Sequence, residues 1–91
     1  MNDKANILIV DDEEVVRLSH MRSLESADCN AQAAEDGRQA LTMMEQQPID
    51  VVLLDLRMPD LDGMEVLKTI KQKWPDSEVV VITGYPSIET A

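Results

Sequence analysis

The sequence predicts an alternating α/β domain built on one parallel sheet. Short apolar runs recur at residues 7–10 (ILIV), 51–54 (VVLL) and 79–82 (VVVI), and they are mostly β-branched. Stretches with helical periodicity and capping signals lie between them. The chain has 91 residues and is 44% hydrophobic, which suits one small core and leaves no room for a second.

Residues 7–10 read as a strand buried on both faces, as strands of parallel sheets are. A helix over about residues 14–27 follows, with two competing stripes: Val15, Leu18 and Met21 on one side, Val16, His20, Leu24 and Ala27 on the other. Residues 30–34 (NAQAA) are only half apolar and fit an edge strand. The next helix, residues 37–46, opens on Asp36-Gly37-Arg38-Gln39. That is a capping-box pattern: Asp36 accepts from the backbone at Gln39, and Gln39 reaches back.

Residues 51–54 form the third strand. Asp62-Gly63-Met64-Glu65 then repeats the cap for a helix over residues 63–73, whose core stripe is Met64, Val66 or Leu67, Ile70 and Trp74. Pro48 and Pro75 bar the continuation of these two helices. Residues 79–82 form the fourth strand, and Ser87 caps what reads as the first turn of a further helix at residues 87–91. Strands alternating with helices imply right-handed crossovers, with helices on both faces.

The net charge is −10, from 18 acids against 8 bases. This balance argues against direct contact with nucleic acid or an anionic membrane, and it permits cations. No apolar run approaches the roughly 20 residues needed to span a bilayer. The first residues lack the features of a secretory signal. The single cysteine, Cys29, excludes an internal disulfide, so a reducing cytoplasm is the expected setting. Cys29 itself reads as a small, half-buried residue.

In an open parallel sheet, ligands bind outside the carboxyl ends of the strands, where the strand order reverses. The first strand ends in Asp11-Asp12, the third in Asp55 and the fourth in Thr83-Gly84. Three carboxylates and a hydroxyl therefore share one edge. Glu13 and Glu14, next in line, suit a helix N-terminus, where acids complement the dipole. An acid closing a buried aliphatic strand has no such structural reason. Crowded carboxylates either raise a pKa or take up a cation, and magnesium prefers a few carboxylates plus other oxygens. Asp11, Asp12 and Asp55 thus form a candidate Mg²⁺ site. Beside it, Asp55 suits nucleophilic attack on phosphorus, and Thr83 suits donation to a phosphoryl oxygen. A phosphate-cradling loop would need glycines and a lysine where this chain has acids. The lone His20 sits within a helix, away from the strand ends.

The motifs ILIVDDEE, VVLLDLRMPDLDG and VVVITGYPSIETA, in this order, resemble the receiver domain of two-component response regulators. The last motif resembles receivers of enhancer-binding transcription activators. The resemblance implies a flavodoxin-like receiver fold with a parallel sheet of order 2-1-3-4. The family's fifth strand and fifth helix have no counterpart in 91 residues. It implies that Asp55 is the phosphoacceptor and Thr83 the switch hydroxyl. It makes Asp12 the direct Mg²⁺ ligand, Asp11 a partner acting largely through water, and the backbone carbonyl of Arg57 the third protein ligand. Arg57 and Tyr85 take positions that tune access to the acyl phosphate, while Met58, Pro59 and Gly63 shape the loop. A sensor histidine kinase would supply the phosphoryl group, and an output domain or downstream protein would receive the signal.

The family's lysine at the end of strand five is missing, and Lys68, Lys71 and Lys73 do not map to it. The chain is accordingly expected to be a receiver over residues 1–91 that is incomplete at its C-terminus. Its fourth strand becomes an unpaired apolar edge, open to a homodimer or strand-swapped oligomer. On this reading the protein is a switch and not an enzyme, beyond its own phosphorylation and dephosphorylation. Two alternatives stand beside it. One is an interaction module that keeps the fold without switching. The other is an aspartate-nucleophile phosphatase, whose usual second acid would fall at Arg57.

Overall fold

The computed structural model describes residues 4–25, 29–55 and 63–82. Seven elements alternate: β1 (Ala5–Val10), α1 (Glu14–Glu25), β2 (Cys29–Ala34), α2 (Gly37–Gln46), β3 (Val51–Asp55), α3 (Gly63–Lys73) and β4 (Glu78–Ile82). All pairings are parallel, in the order β2-β1-β3-β4. The expected elements are therefore present, with strand ends moved by one or two residues. The Asp62 cap, the end of the first helix and the turn expected at residues 87–91 lie outside the described residues.

The winding explains where the helices go. From β1 the chain steps to β2 on one side, then crosses to β3 on the other. Crossovers of one hand then place α1 on one face and α2 and α3 on the other. The α2/α3 face is tightly packed. Leu8, Val10, Val52 and Leu54 alternate along the two central strands and meet Ala40 and Met44 of α2 and Val66 and Ile70 of α3. Leu8, Val52, Leu54 and Ile70 are each 0% exposed. Burial of a side chain of this size contributes about 1.5–3 kcal/mol. The i, i+4 spacing of Ala40 with Met44, and of Val66 with Ile70, turns both pairs toward the sheet.

The opposite face is thinner among the described residues, because α1 lies chiefly against β1 and β2. Ile9 is buried there, but Ile7, Val51 and Leu53 are half-buried and Val80 is 48% exposed. Three expectations need correction. β4 and one face of β3 are not fully buried, since α1, the one described helix on that face, cannot cover four strands. Of the two stripes on α1, the packed one is Val16, His20 and Leu24; Val15 and Leu18 are 78% and 56% exposed, and only Met21 of their stripe is half-buried. On α3, Met64 is exposed, so the core stripe is Val66 and Ile70, with Leu67 and Trp74 half-buried. Cys29 is half-buried as expected, its Sγ donating to the Leu24 carbonyl.

Local bonds hold the frame. Asp36 Oδ1 accepts from the Gln39 N–H at 2.8 Å, as the cap requires. Gln39 Oε1 accepts from the N–H of Glu35 at 2.7 Å, one residue before the expected partner. Gln32 and Gln47 exchange two amide hydrogen bonds, of 2.7 and 2.9 Å, and tie β2 to the end of α2. Lys73 of α3 pairs with Glu45 of α2 and sits 5.0 Å from the centre of the Trp74 ring.

The amino end of the sheet is locked around Asp50. Its carboxylate Oδ2 accepts from the Asn6 N–H at 2.7 Å, its own N–H donates to the Asn6 carbonyl at 2.8 Å, and its carbonyl accepts from Glu78 at 2.9 Å. These bonds set the register in which Val10 faces Leu54.

Candidate functional site

One step beyond the Val10–Leu54 pair, at the carboxyl ends of β1 and β3, stand Asp11 and Asp55. This is the gap where the strand order reverses, the switch point at which open parallel sheets hold their ligands. The register therefore decides that these two acids meet. Asp12, next along the chain, completes the group: carboxylate oxygens of Asp11, Asp12 and Asp55 all lie within 4.8 Å of one another. Asp11 and Asp55 are buried, at 5% and 8% exposure, while Asp12 is exposed. The cluster thus has a dry floor and an open mouth.

Several bonds shape the loop that carries two of the acids. The Asp11 N–H continues the sheet by donating to the Ala34 carbonyl at 3.2 Å. Asp11 Oδ1 accepts from the Glu13 N–H at 2.9 Å, a side-chain turn that aims the carboxylate and leads into α1. Burial pushes the Asp11 pKa above its ordinary value of 3.8. The bond from Glu13 opposes the rise, and the negative charges of Asp55, Asp12 and Glu13 add to it. The fold thus holds a carboxylate where its charge is disfavoured, which a bound cation would reverse. An all-oxygen, carboxylate-rich set is the donor chemistry of a hard divalent ion.

Of the residues singled out in the sequence, Asp11, Asp12 and Asp55 come together as expected. Arg57 and Thr83 lie outside the described residues, as do Met58, Pro59 and Tyr85. Glu13 and Glu14 are exposed at the start of α1. His20 is half-buried on α1 and is not among the clustered groups. Sequence reasoning missed Arg17, whose guanidinium Nη1 donates to the Asp11 carbonyl at 2.7 Å. The available signal was a lone basic residue inside the first turns of a helix that follows an acidic pair. The groove along α1, lined by Val15, Leu18, Ser19, Arg22 and Ser23, includes none of the three carboxylates. No helix among the described residues is long and apolar enough to cross a membrane.

Comparison with known proteins points the same way. Residues 7–91 match the family model of the response regulator receiver domain. The transcriptional regulatory protein ZraR of Escherichia coli (strain K12) is 39% identical, over 99% of this chain and 20% of its own length. A putative NtrX-like response regulator of Rickettsia felis is 36% identical, over 94% of this chain and 18% of its own length. The chain therefore spans about one-fifth of the length of these curated relatives. Among solved structures, the response regulator TrrA of Thermotoga maritima, determined in complex with Mg²⁺-BeF, superposes with a TM-score of 0.85 at 32% identity. That alignment covers 93% of this chain and 74% of TrrA. Acids at the switch point of a 2-1-3-4 sheet, a family match across nearly the whole sequence and a shared backbone agree: the chain belongs to the response regulator receiver domain family.

Proposed function

We propose that this chain is a phosphorylation-dependent signalling switch in which Asp55 accepts a phosphoryl group from a phosphohistidine of a sensor histidine kinase. The convergence of buried Asp55 with Asp11 and Asp12 at the switch point carries this reading. In the transfer, an Asp55 carboxylate oxygen attacks phosphorus and an O–P bond forms. The P–N bond to the histidine breaks, and the imidazole leaves with the electron pair and takes up a proton. The product is an acyl phosphate on Asp55.

A magnesium ion would be held by the carboxylates of Asp11, Asp12 and Asp55 and the backbone carbonyl of Arg57. When bound, it supplies neutralisation of charge on the transferred oxygens. Asp12 stands at the exposed mouth, and the buried floor limits water around the nucleophile. The Thr83 hydroxyl donates to a phosphoryl oxygen. The new group brings about −1.5 to −2 charges, enough to bias Thr83 and the residues that follow it between two arrangements. The Mg²⁺-BeF complex of TrrA supports this use of the cluster.

The segment acts as the receiver portion of a longer cytoplasmic regulator. The transcriptional name of ZraR supports a transcriptional output, reached through an output domain or a downstream protein. The exposed Val80 and Val81 on β4, last in the sheet among the described residues, favour association through that edge.

Incubation with Mg²⁺ and a small phosphodonor such as acetyl phosphate tests the assignment. Intact-mass measurement should show one added phosphoryl group on the wild-type chain and none on Asp55→Asn. Label that persists in Asp55→Asn, or that is indifferent to magnesium, would sink it.

A further inference from the structure

The acidic motif does not account for Arg17. Its side chain is half-buried, and Nη1 reaches back from the second turn of α1 to the carbonyl of Asp11 at 2.7 Å. That carbonyl belongs to the peptide joining Asp11 to Asp12, the link between two members of the carboxylate cluster. The chain leaves the sheet at this point, so ladder bonds no longer define its course. On one side the peptide is bounded by the Asp11 N–H bond to Ala34 and the Asp11 carboxylate bond to Glu13. On the other it is bounded by the guanidinium. The Arg17 N–H also donates to the Glu13 carbonyl at 3.0 Å, so the residue that grips the loop is itself anchored in the helix.

The two acids differ in how they can be held. Asp11 is buried and has its own carboxylate bond. Asp12 is exposed, so packing does not fix it, and its place in the cluster depends on the backbone that carries it. Rotation of the Asp11–Asp12 peptide would swing the Asp12 carboxylate away from its neighbours. A charged donor on the peptide oxygen is the stronger class of hydrogen bond, and the planar guanidinium is pre-organised to make it.

We propose that Arg17 is a positioning residue for the acidic cluster: by gripping the Asp11 carbonyl it holds the Asp11–Asp12 peptide in the orientation that presents Asp12 to a divalent cation. This rests on the magnesium reading of the cluster and adds a residue to it. Arg17 acts in two opposed ways. Its positive charge repels a cation, which weakens binding. Its grip pre-organises the donor set, which strengthens binding. The repulsion is offset by the three carboxylates of the cluster, whereas the grip acts directly on the chain that bears a ligand, so the grip dominates. The sign of the change on removing Arg17 distinguishes the two.

The test is a calorimetric titration of Mn²⁺ into the wild-type chain, Arg17→Met and Arg17→Lys, with urea unfolding of each. Methionine keeps most of the aliphatic packing of the arginine stem and loses the donor. Loss of such an outer partner typically weakens metal binding about 10- to 100-fold, and Arg17→Met should fall in that range with its far-UV spectrum and cooperative unfolding retained. Arg17→Lys, which keeps a charged donor, should recover part of the affinity. Folded Arg17→Met that binds Mn²⁺ as tightly as wild type, or more tightly, would overturn the proposal while leaving the magnesium site standing. A wild-type chain that binds no Mn²⁺ would overturn the magnesium reading, and this proposal with it.

Discussion

β3 lies between two aspartates that differ in everything but their side chain. Asp50 precedes the strand and is exposed, and its carboxylate and backbone spend themselves on register bonds to Asn6 and Glu78. Asp55 closes the strand and is buried, within reach of Asp11 and Asp12. At the amino end, polar groups are answered by backbone donors and acceptors, including buried Ser77, whose Oγ donates to the Ile49 carbonyl at 2.7 Å. At the carboxyl end, three carboxylates stand within 4.8 Å of one another. An aspartate at a strand end thus serves the frame or joins a carboxylate cluster according to what faces it. The sheet register, set at one end, brings the carboxylate cluster together at the other.

The contrast can be broken most strongly at the amino end. Ser77→Val removes a buried hydrogen bond and should cost about 1–3 kcal/mol in urea unfolding, with phosphodonor labelling of Asp55 retained. Preserved stability would mean that the bond contributes little to the frame. A smaller loss, about 0.5–1.5 kcal/mol, is expected for Asp50→Ala, because one hydrogen bond of an exposed carboxylate is removed while the backbone bonds of Asp50 remain. Stability equal to wild type would reduce the carboxylate's part in setting register to nothing measurable.

The smallest effect should have the opposite sign. Burial raises the Asp11 pKa above 3.8, so between the ordinary and the raised value the fold binds a proton that the unfolded chain does not. Stability of the metal-free chain therefore falls as pH rises through that window, and the penalty stays in place above it. Asp11→Asn should lack this falling segment and be the more stable of the two at neutral pH in metal-free buffer. A parallel pH profile for the two proteins, or a less stable variant, would contradict the account. Magnesium should narrow the difference by stabilising wild type alone, in proportion to RT ln(1 + [Mg²⁺]/Kd).

Much of the fold was legible because each signal was local. Unbroken β-branched runs, the Asp36 cap and the prolines after two helices act within a few residues, so reading them needs no partner. The reading failed where burial depends on neighbours. VVVI on β4 has the composition of a doubly buried strand, yet Val80 and Val81 are exposed because they occupy the last strand of the described sheet. The stripe of α1 that was wholly apolar on paper, Val15, Leu18 and Met21, is the more exposed one, and the seating of that helix on β1 and β2 decided it. Of the site, the three aspartates could be read from strand endings. Arg17 could not, since its role runs through a main-chain carbonyl, an atom every residue carries and no sequence pattern marks.

The sequence by itself determined which segments are strands and helices, which residues end the strands and that the groups at two of those ends are acidic. Those properties follow from side-chain chemistry and short-range periodicity. Only the tertiary structure decided that Asp11 and Asp55 are neighbours and that Asp12 stands at an open mouth. It alone decided which face of the sheet is sealed and which residue steadies the acidic loop. Those outcomes depend on strand order, on register and on which elements share a face. Such relations arise between segments distant in the chain, where local preference carries no information.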